Sequence, residues 1–194
     1  GPVSIDLQTS SATGVASFMN MTSFVGSAAS DTFTAANTNN TWSISASNAG
    51  SVGAIAFDSF ENLIGGSADD DFVFADGFNA TGSLDGGPGP GTDTLNYAAW
   101  TSPLTIDLES FATGFEQVTG GSDADTLVGP DAVNAWSISA PDAGSVGPVS
   151  FSSFENLTGN SQADTFTFSA AGSLSGGVDG GGALDELRGP DAVT

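Results

Sequence analysis

The segment from Trp42 to Asp70, WSISASNAGSVGAIAFDSFENLIGGSADD, returns from Trp136 to Asp164 as WSISAPDAGSVGPVSFSSFENLTGNSQAD. The offset is 94 residues, no gap is needed, and 19 of 29 positions are identical. A chain that repeats itself folds as copies of one unit, so this feature constrains the architecture before any local propensity does. The match extends outward. Pro2–Leu7 (PVSIDL) resembles Pro103–Leu108 (PLTIDL), and Asp31-Thr32-Phe33 resembles Asp125-Thr126-Leu127. Residues 1–100 read as a first long repeat and residues 101–194 as a second. Leu187–Val193 (LRGPDAV) repeats Leu127–Val133 (LVGPDAV), so the second copy is expected to stop at the start of a third, as a window on a longer array.

Inside each copy a shorter rhythm runs. In the second copy the candidate strands are Leu95–Tyr97, Leu104–Leu108, Phe115–Val118, Thr126–Val128, Trp136–Ser139 and Val149–Phe151. They continue with Glu155–Thr158, Thr165–Phe168, Gly172–Leu174 and Asp185–Leu187, their centres about ten residues apart. Alternating polarity bounded by Gly, Asn, Asp or Pro is the pattern of half-buried strands. No stretch carries helical apolar spacing, and 27 glycines are too many for helices. The expected fold is all-β: one continuous parallel β-solenoid, β-helix-like or β-roll-like, built of short strands. Two tandem β-sandwich modules of one repeat each are the competing architecture, and the number of sides per rung stays open at two or three.

Composition narrows the chemistry. The chain has 23 acidic residues, one basic residue (Arg188), no His and no Cys, for a net charge of −22. There is no imidazole base and no thiol nucleophile. One cation cannot neutralise a line of phosphates, so neither nucleic acid nor an anionic membrane is an expected partner. No apolar run has the length of a membrane span, so no membrane insertion is expected.

The most chemically loaded motif is a glycine turn with an Asp ahead of a short apolar strand. It reads GSAASDTFT from Gly26, GGSADDDFV from Gly65, GGSDADTLV from Gly120, GNSQADTFT from Gly159 and GGGALDELR from Gly180. A sixth, GGPGPGTDTL from Gly86, carries one extra Pro-Gly pair. The unit resembles the hemolysin-type RTX repeat, and more closely the degenerate RTX-like arrays of very large secreted bacterial surface proteins and adhesins. That resemblance implies Ca²⁺ as cofactor, with Asp31, Asp70, Asp93, Asp125, Asp164 and Asp185 as metal ligands and Asp69, Asp71 and Asp123 as helpers. A hard cation that takes six to eight oxygens suits carboxylates at turns. In the RTX roll, however, the repeats run in tandem, whereas these six Asp lie 39, 23, 32, 39 and 21 residues apart. The competing reading is that each Asp accepts backbone N–H bonds and starts a strand.

The remaining conspicuous residues read as packing. In FENL at Phe60–Leu63 and Phe154–Leu157, and FEQV at Phe115–Val118, the apolar residues face the core, while Asn62 and Asn156 satisfy turn backbone; a ligand-binding Glu-Asn pair is the alternative. Trp42 and Trp136, in matching WSIS strands, read as core or rung-surface packing, with carbohydrate platforms as the alternative, and Phe33, Phe72, Phe74, Phe166 and Phe168 form an internal stack. The Thr32/Thr34 and Thr165/Thr167 pairs suggest an ice-binding ladder, which Phe72-Val73-Phe74 interrupts. The acids recur with the repeat, whereas an active site departs from it, so no enzyme is expected. The expected function is a structural or adhesive segment of a long extracellular solenoid, secreted or at the cell surface. It would associate end to end with itself or with neighbouring repeats, and a glycan or cell-surface target is compatible with it. The alternatives are a calcium-responsive folding module and a carbohydrate-binding or polysaccharide-processing β-helix.

Overall fold

The computed structural model describes residues 1–109 and 112–190. Asp191–Val193, part of the repeated LRGPDAV phrase, lie outside the described residues. Among the described residues every regular element is a strand, and most strand pairs are parallel. The chain divides into two compact units. The first comprises Gly1–Asn96 with Ala112–Phe115, and the second comprises the rest.

In the first unit one sheet holds β1 (Ser4–Asp6), β2 (Ser11–Ala12), β4 (Thr32–Thr34), β8 (Asn62–Ile64), β10 (Leu84–Asp85) and β13 (Ala112–Thr113). Ile5, Phe33, Leu63 and Leu84 stand opposite one another in register along β1, β4, β8 and β10. All four are buried. The other sheet holds β3 (Ser23–Val25), β5 (Asn40–Ala46), β6 (Ala49–Val52), β7 (Ile55–Asp58), β9 (Asp70–Phe74) and β11 (Thr94–Asn96). Apart from the hairpin strands, the chain alternates between the two sheets from β3 to β11. Aromatic rings fill the space between them. Phe33 lies edge-on to Trp42 at 5.8 Å and to Phe60 at 5.2 Å, and tilted against Phe57 at 5.7 Å. Such edge contacts add to what ring burial alone contributes.

The second unit repeats the plan. One sheet runs β12 (Thr105–Asp107), β15 (Thr126–Val128), β19 (Asn156–Thr158) and β21 (Val178–Asp179), with Ile106, Leu127, Leu157 and Val178 in register. The other contains β14 (Gln117–Thr119), β16 (Ala135–Ala140), β17 (Ala143–Val146), β18 (Val149–Ser152), β20 (Thr165–Phe168) and β22 (Glu186–Arg188).

One feature of both units departs from the all-parallel expectation. β5–β6–β7 and β16–β17–β18 are antiparallel meanders set into otherwise parallel sheets. Their turns carry left-handed residues at Asn48 and Gly53, repeated as Asp142 and Gly147, the residue types that tolerate positive φ. Gly50 and Gly144 sit so close to the carbonyls of Ser43 and Ser137 that no side chain fits there. The expected strand at Gly172–Leu174 reduces to one isolated bridge between Ser173 and Pro141.

Candidate functional site

The six motif aspartates all sit at strand starts, immediately before or at the first residue of β4, β9, β11, β15, β20 and β22. Asp31, Asp70, Asp93, Asp125 and Asp164 are buried, whereas Asp185 is exposed. A buried carboxylate is costly unless hydrogen-bonded, and the geometry shows what bonds them. One oxygen turns back into its own turn. Asp31 Oδ2 accepts the Ser27 N–H, Asp70 Oδ2 the Gly66 N–H and Asp125 Oδ2 the Gly121 N–H.

The other oxygen reaches a neighbouring strand. Asp31 Oδ1 accepts the Val3 N–H at 2.6 Å, Asp70 Oδ1 the Asn40 N–H at 3.0 Å, Asp125 Oδ1 the Leu104 N–H at 2.8 Å and Asp164 Oδ1 the Asn134 N–H at 2.7 Å. Each of these aspartates then donates its own N–H to the next carboxylate along. The Asp70 N–H goes to Asp93 Oδ1 at 2.8 Å, and the Asp164 N–H to Asp185 Oδ1 at 2.9 Å. On the opposite sheets the receiving acid is the glutamate of FENL. Asp31 donates to Glu61 Oε2 at 2.8 Å and Asp125 to Glu155 Oε2 at 2.7 Å. The result is a carboxylate ladder in which each acid caps the strand beside it.

The sequence offers Glu61 and Glu155 only as part of a ligand-binding Glu-Asn pair, not in this capping role. Their signal is a separation of 30 residues from Asp31 and Asp125 in both copies. The FENL asparagines do what the sequence suggests. Asn62 Nδ2 donates to the Asp31 carbonyl and Asn62 Oδ1 accepts the Ser83 N–H; Asn156 bridges the Asp125 carbonyl and the Gly177 N–H in the same way. The motif glycines Gly26 and Gly120 are needed for close approach rather than for a left-handed turn. A Cβ there would overlap the carbonyl oxygens of Ser59 and Ser153.

Environment tunes the acids in opposite directions. Burial raises the Asp31 pKa, but the N–H groups of Ser27 and Val3, the Ser27 hydroxyl and the amino terminus together bring it below the ordinary value. Asp70 is raised by burial, with the Asn40 side chain and the Gly66 and Asn40 N–H groups only partly offsetting it and Asp69 adding to it. Asp71 is raised by burial against a single bond from Asn96.

The fit to calcium follows from the same geometry. Asp69, Asp70 and Asp71 line a pocket of about 290 Å³ with Asn39, Asn40, Thr41, Thr92 and Thr94. Asp69 accepts the Thr92 N–H, and Asp123 accepts the Ala124 N–H. Among the described residues no three acidic side chains gather where one ion would reach them. The oxygens of Asp31, Asp70 and Asp125 face N–H donors, the positive ends of peptide dipoles. As arranged, these carboxylates do not supply the six to eight oxygens calcium takes. Asp164 Oδ2 and Asp71 Oδ1 are buried with no hydrogen-bond partner. Compared with protein-family models, curated proteins and solved structures, the chain has no match.

Proposed function

We propose that the chain is a structural segment of a long extracellular β-solenoid, serving as a stalk, filament or scaffold. The observation that carries this reading is the carboxylate ladder. Asp31–Glu61 and Asp125–Glu155, and Asp70–Asp93 and Asp164–Asp185, spend their carboxylates on fastening one strand start to the next. Acids used in this way are a scaffold repeated with the sequence, as a solenoid requires. The in-register stacks Ile5–Phe33–Leu63–Leu84 and Ile106–Leu127–Leu157 support the same reading. The extracellular setting rests on the resemblance to secreted surface arrays. The mechanism is mechanical, with backbone ladders and an aromatic spine holding the segment stiff.

The test is far-UV circular dichroism and thermal melting in EDTA, followed by titration with Ca²⁺ and with Mg²⁺ as control. A β-rich spectrum in EDTA, with the two cations shifting the melt equally, is the expected result. Strand signal that develops only with Ca²⁺ overturns it in favour of a calcium-responsive module with the aspartates as sensors.

A further inference from the structure

The two copies differ at one turn in a way that packing does not explain. Four segments read Asn-x-Thr, the pattern of an acceptor for N-linked sugar: Asn20-Met21-Thr22, Asn39-Asn40-Thr41, Asn79-Ala80-Thr81 and Asn156-Leu157-Thr158. The fold sorts them. Asn156 spends its side-chain amide on the Asp125 carbonyl and the Gly177 N–H, and Leu157 beside it is buried. Asn79 Oδ1 accepts the Ala80 N–H at 3.0 Å, Ala80 is buried, and the Thr81 hydroxyl is held by Asn48 at 2.9 Å. The exposure of Asn20 depends on what precedes residue 1 and decides nothing.

Asn39-Asn40-Thr41 is different. It runs from the turn after β4 into the start of β5, and both strands are flanked on each side, β4 by β1 and β8, β5 by β6 and β9. The exposure of this turn is therefore not that of a chain end. Asn40 anchors it, its Nδ2 donating to the carbonyls of Ala36 and Thr38 and to Asp70 Oδ1. Alternation then turns Asn39 and Thr41 outward on either side of the anchor, and both are exposed. Among the described residues the Asn39 amide has one hydrogen bond, to Asp69 Oδ2 at 3.3 Å, and the Thr41 hydroxyl has none. Both residues line the pocket of about 290 Å³ beside Asp69, which leaves room for an incoming group. In the second copy the anchor is kept, Asn134 Nδ2 donating to the Pro130 and Ala132 carbonyls, but the outward pair is Val133 and Ala135. The fold thus requires the middle residue and not the two that flank it.

We infer that Asn39 is a glycosylation site, taking a sugar from a glycosyl phosphate donor, either a sugar nucleotide or a lipid-linked glycosyl pyrophosphate. Asn39 Nδ2 forms a bond to the anomeric carbon as the bond from that carbon to the phosphate oxygen breaks. The electron pair of the broken bond leaves with the phosphate, and one Nδ2 proton passes to a base on the transferase. Nothing is oxidised or reduced. The Thr41 hydroxyl, two residues on and on the same face, is the group the transferase reads beside the amide. A glycan there projects from a turn, adding bulk and solubility without touching the aromatic core. The inference goes beyond the structural-segment reading and needs only that this turn fold as described.

The experiment has two arms, which distinguish the donors. In one, the folded full chain is treated with a soluble N-glycosyltransferase and UDP-glucose. In the other, the full chain is exported through a secretory host that supplies a lipid-linked oligosaccharide. Mass spectrometry of chymotryptic peptides maps the occupied residues. Asn39 is expected to carry sugar, and transfer in one arm alone names the donor. In the folded chain, occupancy at Asn156 is expected to be at least roughly tenfold lower, because its two hydrogen bonds must open first. Thr41→Ala is expected to abolish transfer to Asn39, and Thr41→Ser to restore much of it. Val133→Asn together with Ala135→Thr, both at exposed positions, builds the same acceptor on the second copy and is expected to add a second modified residue. Three results overturn the inference: Asn39 bare in both arms, Asn156 of the folded chain filled as fully as Asn39, or a double variant that gains no second sugar. All three leave the structural-segment reading in place, whereas a circular dichroism spectrum without β signal removes that reading and this one together.

Discussion

Asp125 and Glu155 are linked by a hydrogen bond that runs against their chemistry as acids: Asp125 donates its backbone N–H to Glu155 Oε2 at 2.7 Å. Asp125 meanwhile uses its own carboxylate to accept the N–H groups of Leu104 and Gly121. Asp31 and Glu61 stand in the same relation in the first copy. Two like charges are thus placed in series without meeting, because a peptide N–H lies between them. The carboxylate serves as the acceptor that a strand start lacks once its own ladder has run out.

Removing that acceptor leaves buried donors behind. Asp125→Ala strands the N–H groups of Leu104 and Gly121, and at about 1–3 kcal/mol for each unsatisfied group the expected cost is ~2–6 kcal/mol. Asp125→Asn keeps one oxygen and turns an NH₂ toward a donor, so it is expected to recover only part of the loss. Glu155→Gln retains an acceptor for the Asp125 N–H and is expected to cost about 1 kcal/mol or less. Urea unfolding of the three variants gives the ranking. An Asp125→Asn variant as stable as the wild type would show that the second N–H bond contributes nothing.

A motif glycine and a glycine outside the motif give a paired comparison. A Cβ on Gly120 would overlap the Ser153 carbonyl and crowd Asp125 Oδ2, whereas a Cβ on Gly177 has nothing within 4 Å. Gly120→Ala is expected to destabilise by about 3 kcal/mol or more, since two paired backbones have to move apart. Gly177→Ala is expected to be neutral or slightly stabilising through the unfolded chain. Thermal melts of the two variants that coincide would remove the close-approach explanation for the motif glycines.

Much of the strand pattern was legible, and the misses have physical causes. Thr126–Val128 and Thr165–Phe168 form strands with the bounds their alternation suggests. β19 begins at Asn156 rather than Glu155, because its pairing with β15 begins at Thr126 opposite Asn156. β17, Ala-Gly-Ser-Val, has no alternation to read; it exists because Gly144 lets it approach Ser137 closely. β21 is two residues between glycines and is a strand only because Leu157 lies opposite Val178. The aspartates were visible as a motif. The glutamates were visible within FENL, but their capping role was not, since their partners lie 30 residues away and register is not a local property.

The aromatic spine is expected to be the least tolerant part of the first unit. Phe33 is fully buried and its ring meets Phe24, Trp42, Phe57 and Phe60. Phe33→Ala opens a cavity among rings that cannot collapse into it without leaving their own contacts, so a loss of about 3–5 kcal/mol is expected. Phe33→Leu keeps the β4 register partner and most of the volume, and is expected to lose less than half as much. Urea melts followed through tryptophan fluorescence read both. Equal stability of the two variants would mean that edge-on ring contacts, rather than filled volume, hold the sheets together.

The opposed shifts of Asp31 and Asp70 set the pH response. Asp31 has a folded pKa below 3.8, so its ionised form is favoured by folding. That stabilisation is present above 3.8 and is lost as pH falls through the lowered folded value. Asp70 and Asp71 have folded values above 3.8. Their contribution is complete below 3.8 and is lost as pH rises through the raised folded values, so at neutral pH both weaken the fold. Mutual repulsion within a chain of net charge −22 acts in the same direction as Asp70 and Asp71. Acidification from neutral pH is therefore expected to raise the urea midpoint first, and to lower it again below about 3.8 as Asp31 takes up its proton. Asp71→Asn is expected to raise the midpoint at neutral pH and to flatten the rise on the acid side, while leaving the fall at lower pH in place. A midpoint that declines steadily from neutral pH downward would mean that hydrogen-bonded carboxylates of the Asp31 kind outweigh both burial and repulsion.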